Sequence, residues 1–481
     1  ETKCGSCFMC VMNCPFGVLE PDRMTKKKVI KCDFCMSDGQ EPNCVKSCPK
    51  GAIHVEEAGW MNYVIIGTGA AGIMAAKEIR KLKKDAQITM ISADEQVHSR
   101  CMLHKYLSHE RTAEELSFVE EDFFEKNQIA EVYGHIEVID TANQMVDTKG
   151  GESICYDKLL ISTGADSFIP PVGDLRKAKN VFGLRHLKDA QEIDKMAEDA
   201  EKILIIGSGL VGLDAAYGLI ERGKKVTVVE MAEQILPVQL DAHAAKTYQE
   251  LFEQAGVQFY LGCKAEGAVC EADGMIRAVT LDTGKQLLCD LIIVAAGVRP
   301  AVGFLEKSEI EVERGIKVNS KMETNVPNVY AAGDVTGLSG IWPNAMKQGQ
   351  TAARNMCGVG TEYTDTFAAK NTINFFGLVT LCLGRIRQEE GDEIFVEEDR
   401  NVYRRLIMKD GVPEGILLQG DIAHSGIWQY MIKSKIDISS MKNKIFKITF
   451  ADFYGIGDRG KYVWKIDEKM DKKTDKSRQN A

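Results

Sequence analysis

One short pattern occurs twice in this chain, and it limits the fold more than any other feature. An apolar strand, a glycine turn and an alanine-rich helical stretch follow one another in NYVIIGTGAAGIMAAKEIRKL (Asn62–Leu82) and again in KILIIGSGLVGLDAAYGLI (Lys202–Ile220). Glycines spaced G-x-G-x-x-G let the backbone approach a pyrophosphate, which the amides at the helix N-terminus bind. The two copies therefore predict two dinucleotide sites in an α/β fold. Their glycines are Gly67, Gly69 and Gly72 in the first copy and Gly207, Gly209 and Gly212 in the second.

An acidic residue after the next strand indicates which dinucleotide each site binds. In the second copy KKVTVVE ends at Glu230, eighteen residues after Gly212, where a carboxylate can accept hydrogen bonds from both ribose hydroxyls. No arginine closely follows Glu230 in the sequence, so a 2′-phosphate would be repelled, and we predict NAD. In the first copy the strand QITMIS is followed by Asp94 and Glu95. We predict Asp94 as the ribose ligand, with Glu95 as the alternative.

Three further stretches occur in an order that resembles the pyridine nucleotide-disulfide oxidoreductase superfamily. They are YDKLLISTGA, DLIIVAAGVRP and NVYAAGDV, and the resemblance spans roughly Asn62 to Gly455. It implies two Rossmann-like domains, with FAD at the first glycine turn and NAD(H) at the second. It also implies that Asp334 hydrogen-bonds the FAD ribityl chain; the alternative for Asp334 is a turn residue. The other cofactor-binding positions that the resemblance implies are Arg100, Thr163, Gly164, Gly297 and Gly333.

The stretch SRCMLHKYL (Ser99–Leu107) is similar to the SRPPLSKYL element of the rubredoxin-reductase, nitrite-reductase and NADH-oxidase branch. This resemblance implies that Lys105 lies beside flavin N5 and pairs with an acid on the first helix of the NAD domain, here Asp214. The branch more often has glutamate there, and a plain surface lysine is the competing interpretation of Lys105. In IWPNAMKQGQTAARNM we predict a helix with Asn344 as N-cap, whose N-terminus by resemblance points at the flavin.

Cys101 suggests a rival chemistry. It aligns with the single active cysteine of the NADH peroxidases and coenzyme A disulfide reductases. A thiol of lowered pKa beside a flavin could act as a peroxidatic or mixed-disulfide centre. The flanking Arg100 and Lys105 instead match the branch that lacks this cysteine, so we favour a Cys101 without a redox role. The C-x4-C pair of the glutathione and lipoamide enzymes does not occur in the sequence.

A cysteine-rich module precedes these domains, since eight of the fifteen cysteines fall within the first 48 residues. The spacings are C-x2-C-x2-C-x3-C-P and C-x2-C-x8-C-x3-C-P, typical of a ferredoxin with two [4Fe–4S] clusters; a pair of zinc sites is the alternative. The x8 gap resembles the iron–sulfur subunits that serve carbon monoxide and formate dehydrogenases, and we expect the natural chain to extend upstream of Glu1. The predicted cluster ligands are Cys4, Cys7, Cys10, Cys14, Cys32, Cys35, Cys44 and Cys48.

Composition argues against several other classes of protein. A net charge of −10 without a basic stripe argues against nucleic acid, and the longest apolar runs are far too short for a membrane span. The odd cysteine count and the lack of a secretory signal pattern favour a reducing compartment, and we predict the cytoplasm.

The predicted segments are a ferredoxin-like domain (1–58), an FAD domain in two parts (59–178 and 303–361), an NAD domain (179–302), a C-terminal α+β interface domain (362–455) and a solvated tail (456–481).

Together these modules predict an electron-transfer flavoprotein. Flavin accepts a hydride from nicotinamide and releases electrons singly, so it can connect an NAD(H) site to iron–sulfur clusters. By resemblance the interface domain makes a homodimer, within a larger complex of anaerobic metabolism. The partner is then a low-potential redox protein such as carbon monoxide dehydrogenase, an aldehyde or formate oxidoreductase, or ferredoxin. The alternatives are an NADH-dependent disulfide, peroxide or oxygen reductase that uses Cys101, and a non-catalytic electron-conduit subunit.

Overall fold

The computed structural model describes residues 61–306, 308–365, 367 and 369–456, and the backbone of the short strands Leu19–Pro21, Val29–Lys31 and Tyr462–Trp464. The eight cysteines of the predicted ferredoxin-like domain lie outside the described residues. The chain divides into two compact units, Glu1–Met61 and Asn62–Ala481, and the second contains both glycine motifs. The helices described in this second unit are α1 (Ala70–Leu82), α2 (Leu103–Leu107), α3 (Phe123–Lys126), α4 (Leu187–Asp199), α5 (Leu210–Ile220), α6 (Ala242–Gln254), α7 (Trp342–Met356) and α8 (Ser425–Lys433).

The first glycine motif lies in a five-stranded parallel sheet whose two faces are both buried. Along its central strand, Ile65 belongs to one apolar core and Val64 to another, which explains why the strand is apolar throughout. α1 follows this strand and packs along α7. The two helices approach closely because a Cβ on Gly349 would lie only 2.1 Å from the carbonyl oxygen of Ala71. In spatial order the strands are Val329–Ala331, Lys158–Ile161, Asn62–Ile66, Gln87–Ser92 and Ile129–Tyr133.

The second glycine motif lies in an equivalent five-stranded parallel sheet, and α5 follows its central strand. In both copies the first glycine donates its N–H to a carbonyl near the end of the neighbouring strand: Gly67 to Ile91 at 2.7 Å and Gly207 to Val229 at 2.8 Å. The predicted repeat of two strand–turn–helix units is therefore confirmed. In spatial order the strands are Val181–Gly183, Leu291–Val294, Lys202–Ile206, Lys225–Val229 and Gln258–Tyr260.

The C-terminal part forms a five-stranded antiparallel sheet, as its alternating sequence predicted. One side packs on α8 around Leu406 and Trp428. The sheet also contacts α6, where the Tyr248 hydroxyl donates a hydrogen bond to the carbonyl oxygen of Leu378 at 2.7 Å. The dimer role predicted for this domain stays a prediction. In spatial order the strands are Lys370–Phe375, Leu378–Gly384, Val412–Gln419, Val402–Lys409 and Glu393–Asp399.

Within the part of the chain that the structure describes, no helix combines the length and the apolar character that crossing a bilayer requires.

Short antiparallel strands complete the described unit. The short strands form four small sheets: Ile136–Asp140 with Met145–Thr148 and Ser153–Cys155; Ala265–Cys270 with Ile276–Leu281 and Gln286–Leu288; Ala165–Ser167 with Val298–Pro300; and Tyr454–Ile456 with Tyr462–Trp464.

α7 begins three residues earlier than its predicted cap requires. Its first residue is Trp342, with Ile341 at the N-cap and Pro343 in the first turn. Proline is favoured there because its missing N–H would have no partner within the helix. The predicted N-cap Asn344 is therefore wrong, and Asn344 instead lies inside the helix, fully buried.

Candidate functional site

The first glycine turn is crowded at two of its glycines and open at the third. Gly67 has φ of 105°, and a Cβ there would lie 2.3 Å from the carbonyl oxygen of Ser162. A Cβ on Gly72 would lie 2.0 Å from the carbonyl oxygen of Gly67. Gly69, the residue before α1, has open space on its side-chain face. The crowded glycines therefore serve backbone packing, and the open one leaves room for a ligand beside the helix N-terminus.

The second turn repeats this arrangement. A Cβ on Gly207 would lie 2.5 Å from the carbonyl oxygen of Ala295, and a Cβ on Gly212 would lie 2.0 Å from the carbonyl oxygen of Gly207. Gly209 again faces open space immediately before α5. The two turns thus present the same free face to a pyrophosphate.

A cleft of about 740 Å³ lies beside the first turn. Its volume is within the range of small-molecule sites. Four of the predicted cofactor residues line it: Gly67, Asp94, Arg100 and Thr163. The structure thus brings together positions that are up to 96 residues apart in the sequence.

Asp94, rather than Glu95, faces this cleft. The Asp94 carboxylate lies 3.7 Å from Arg100 Nη2 and 3.2 Å from His186 Nδ1, whereas Glu95 is exposed and does not line the cleft. Burial alone would raise the pKa of Asp94, but the hydrogen bond with His186 and the nearby positive charges lower it below its usual range. Asp94 is therefore ionised near neutral pH, as a ribose ligand must be.

A smaller cavity of about 90 Å³ is lined by four more of the predicted FAD residues. It is lined by Gly69, Gly164, Gly333 and Asp334, and Arg100 lines both cavities. A Cβ on Gly164 would lie 2.7 Å from Arg100 Nη1, so this glycine makes room for the guanidinium. Trp342, the first residue of α7, also lines the cavity.

Three residues that the sequence did not single out fix Asp334 or the glycine before it. The Asp334 carboxylate accepts a hydrogen bond from Arg185 Nη2. Gln348, fully buried on α7, accepts the backbone N–H of Gly333 at 2.8 Å, and the Thr336 hydroxyl donates to the Gly333 carbonyl at 2.8 Å. The Arg185–Asp334 contact joins residues 149 positions apart in the sequence, and no local motif marks it. Arg185 orients the Asp334 carboxylate, and the other two contacts fix the backbone of Gly333 beside it.

The structure does not form the predicted ion pair between Lys105 and Asp214. The Lys105 ammonium instead lies 2.5 Å from the Glu110 carboxylate, and Asp214 lies 3.8 Å from His104 Nδ1. Glu110 lies only five residues after Lys105 in the sequence. The Asp214 side chain is one methylene group shorter than that of the glutamate usual in the branch, so it reaches less far. Burial, only partly offset by the charge of Lys105, raises the pKa of Asp214 to about 7. Neither Lys105 nor Asp214 lines the two cavities.

Cys101 lines the smaller cavity but lacks the environment of a reactive thiol. Desolvation by the cavity wall and the negative charge of Asp214 raise the pKa of Cys101 above its ordinary value, although the residue is exposed. A reactive cysteine needs a lowered pKa, because the thiolate is the nucleophile. This environment weighs against the peroxidatic and mixed-disulfide interpretations.

In the second site, Glu230 is fixed by three hydrogen bonds. One carboxylate oxygen accepts the backbone N–H of Ser208 at 2.8 Å and its hydroxyl at 2.9 Å, and the other accepts the N–H of Ala232 at 2.8 Å. Ser208 lies between the first two glycines of the turn, so these hydrogen bonds hold the Glu230 carboxylate beside the glycine turn. The predicted Gly297 has φ of 98° at the turn after the strand Leu291–Val294. Its role toward a cofactor stays a prediction.

Among the residues that the structure describes, no group of three or more histidine, cysteine or acidic side chains is arranged to hold a metal ion. The eight predicted iron ligands lie outside that part of the chain, so the cluster prediction stays a prediction.

Comparison with known proteins matches this geometry. The sequence model of the pyridine nucleotide-disulphide oxidoreductases matches residues 61–349, more than half of the chain. The chain belongs to this family. FAD and NAD(H), the cofactors of the family, fit the two glycine turns: each turn offers a free helix N-terminus and an acid in the ribose position.

Relatives of several kinds share these domains. The chain is 31% identical to the assimilatory nitrate reductase electron transfer subunit of Bacillus subtilis (strain 168), over 80% of this chain and about half, 51%, of that protein's length. It is 29% identical to the epsilon subunit of NADH-dependent phenylglyoxylate dehydrogenase from Aromatoleum evansii, over 79% of this chain and 94% of that protein. The crystal structure of NADH:rubredoxin oxidoreductase from Clostridium acetobutylicum superposes with a TM-score of 0.67 at 26% identity, covering 80% of this chain and 99% of that one.

Proposed function

We propose that this chain is a flavoprotein oxidoreductase that passes electrons between NAD(H) and a redox partner protein. The observation that carries the proposal is the pair of equivalent glycine turns, each with its own acid, Asp94 in the first and Glu230 in the second. Two dinucleotide sites in one chain suit a hydride transfer between nicotinamide and flavin.

Each described residue of the two sites then has a defined part. The N-termini of α1 and α5 bind the two pyrophosphates, while Asp94 and Glu230 orient the adenosine riboses. Asp334 binds the ribityl chain, held by Arg185 and by the anchored Gly333. FAD, when bound, supplies an acceptor for the hydride of NADH and a donor of single electrons.

The finer part of the proposal concerns iron and the partner. The spacing of the eight N-terminal cysteines supports two [4Fe–4S] clusters that carry single electrons to or from the partner. Two relatives support the partner class: one is an electron transfer subunit, and another is a subunit of an NADH-dependent dehydrogenase. We propose a low-potential partner of that kind, such as a carbon monoxide dehydrogenase, an aldehyde or formate oxidoreductase, or a ferredoxin.

The test uses anaerobically purified full-length protein. We expect one FAD and about eight irons per chain, the content of two four-iron clusters. NADH should bleach the flavin absorbance and then reduce the clusters, as followed by EPR. A flavin that dithionite bleaches but NADH does not would contradict the proposal and favour a non-catalytic conduit. If NADH bleached the flavin but the protein contained no iron, electron transfer from NADH to flavin would be supported and the two [4Fe–4S] clusters would be contradicted.

A second experiment identifies the partner. Native purification, followed by mass spectrometry of the proteins that travel with this chain, should recover a redox enzyme or a ferredoxin. Reconstitution with the recovered protein should then give electron transfer that depends on NAD(H). Recovery of the chain alone, with thiol- or peroxide-dependent NADH oxidation, would instead support the Cys101 alternative.

A further inference from the structure

Two consecutive residues at the start of α4 reach into the FAD cleft. Arg185 contacts Asp334, and His186 Nδ1 lies 3.2 Å from the Asp94 carboxylate. The Asp189 carboxylate, in the first turn of α4, accepts the backbone N–H groups of both Arg185 and His186 at 2.9 Å. One acid therefore fixes the backbone that directs two basic side chains toward the two acids assigned to FAD.

The second ring nitrogen of His186 also faces an acid. Nε2 lies 3.5 Å from Asp166 Oδ1, on the short strand Ala165–Ser167. His186 belongs to the N-cap of α4 in the NAD domain, whereas Asp94 and Asp166 both belong to the FAD domain. An imidazole with acceptors at both nitrogens is satisfied fully only when both nitrogens carry hydrogen. We call Asp94, Asp166 and His186 together the His186 clasp.

Other charged and titratable groups surround the clasp, and they do not all favour a protonated His186. Arg100 is the nearby cation that opposes protonation of His186, while Asp189 caps its backbone. His98 is neutral: burial lowers its pKa, and its Nε2 accepts the N–H of Leu187 at 3.2 Å. Lys188 is exposed and lines the cleft on the side of α4.

We propose that His186 is a cofactor-positioning residue, whose imidazolium bridges Asp94 and Asp166 and holds the Asp94 carboxylate in place for the ribose of FAD. The proposal rests on the assignment of FAD to the first site, and it deepens that assignment. His186 lines the same cleft as Gly67 and Thr68 of the glycine turn.

The clasp makes FAD retention depend on pH in one direction. Burial alone would lower the pKa of His186, but the hydrogen bonds with Asp166 and Asp94 raise it to about 9. Because the pKa of His186 is raised, its imidazolium contributes fully to FAD binding at neutral pH. This contribution is lost as the pH rises through about 9. FAD should therefore dissociate more readily from the wild-type protein in alkaline buffer.

The experiment measures FAD dissociation from the holoprotein by the fluorescence of released flavin, across neutral and alkaline pH. In His186→Gln the dissociation constant at neutral pH should rise about tenfold, the loss expected for one charge-assisted hydrogen bond. The additional alkaline rise of the wild type should be absent from this variant. Asp166→Asn, which removes one side of the bridge, should give a smaller loss and should shift FAD release to lower pH.

The matched control is His243→Gln. His243 also faces a carboxylate, Glu398 at 3.5 Å, but it lies on α6 and does not line the cleft. This control should keep the wild-type FAD affinity and its pH dependence. Wild-type affinity in His186→Gln, or an alkaline release that is the same in His186→Gln and wild type, would overturn the proposal.

A second measurement covers the case in which His186→Gln fails to fold. Histidine-selective NMR of the wild-type holoprotein should show one ring that stays protonated at neutral pH and titrates in alkaline buffer, and the Asp166→Asn spectrum should assign it. If no ring titrates above the ordinary histidine range, the clasp is wrong. Both readouts follow FAD and His186 without NADH or a partner. A protein that binds FAD but is not reduced by NADH would therefore contradict the proposed function and leave this test intact.

Discussion

Arg185 donates a hydrogen bond through Nη2 to the carboxylate of Asp334, although the two residues lie 149 positions apart in the sequence. Both side chains are largely buried, at 18% exposure each, so the contact is only weakly screened by water. It connects the segment before α4 to the GD motif, whose aspartate we propose binds the ribityl chain of FAD.

We expect Arg185→Gln to weaken FAD binding, because the Asp334 carboxylate would lose the cation that orients it. The FAD dissociation constant should rise about tenfold or more, measured by fluorescence titration of the apoprotein. Arg185→Lys keeps the charge without the planar fork and should show a smaller loss. Equal affinity in wild type and Arg185→Gln would show that Asp334 needs no such partner.

The two open glycines give a matched pair of variants. Gly69→Ala and Gly209→Ala each add a methyl group to a free face, so the apoprotein should fold with little change in thermal stability. Gly69→Ala should lose FAD, whereas Gly209→Ala should keep FAD and lose NADH binding. Flavin content and NADH titration distinguish the two outcomes. Gly67→Ala, with its crowded Cβ position and φ of 105°, should instead destabilise the fold itself.

Removing the acid of the second site should affect NADH alone. In Glu230→Gln the ribose loses a charged acceptor, and we expect KM for NADH to rise about tenfold while the flavin content stays that of wild type. The preference for NADH over NADPH should also shrink, because the repulsion of a 2′-phosphate is gone. Glu250→Gln, an exposed acid on α6, is the control. A KM unchanged in Glu230→Gln would mean that NAD binds elsewhere.

Cys101→Ser should retain most of the NADH-to-viologen activity, since a thiol of raised pKa is a poor nucleophile. The variant should also turn over normally with its partner. Steady-state rates of wild type and Cys101→Ser, compared at equal flavin content, provide the test. Complete loss of activity would establish a redox function for Cys101 and favour the disulfide or peroxide reductase alternative.

Asp214 should make stability fall as pH rises. Its raised pKa of about 7 means that the folded protein keeps a proton that the unfolded chain releases above about pH 4. Between these values the free energy of unfolding should fall by about 1 kcal/mol per pH unit from this group alone. Asp214→Asn should lack this slope and should denature later than wild type at neutral pH. If the denaturation midpoints of wild type and Asp214→Asn changed with pH at the same slope, Asp214 would ionise normally in the folded protein.

The sequence by itself determined the parts of the fold that are local. Each glycine motif specifies a strand, a turn and a helix within about twenty residues, and the crowded contacts of Gly67 and Gly207 show why other residues do not fit. The acids Asp94 and Glu230 were found for the same reason, because the next strand places them beside the turn. The antiparallel C-terminal sheet also followed from alternation along single strands.

Only the tertiary structure decided which side chains meet across the domains. Arg185 and His186 show no local signal, yet each contacts an acid from a distant segment, Asp334 and Asp94 respectively. Lys105 pairs with Glu110, five residues along the chain, instead of the predicted Asp214, because its flexible side chain reaches this nearer carboxylate. Spacing along a chain determines local geometry, whereas contacts between distant residues depend on how the domains pack.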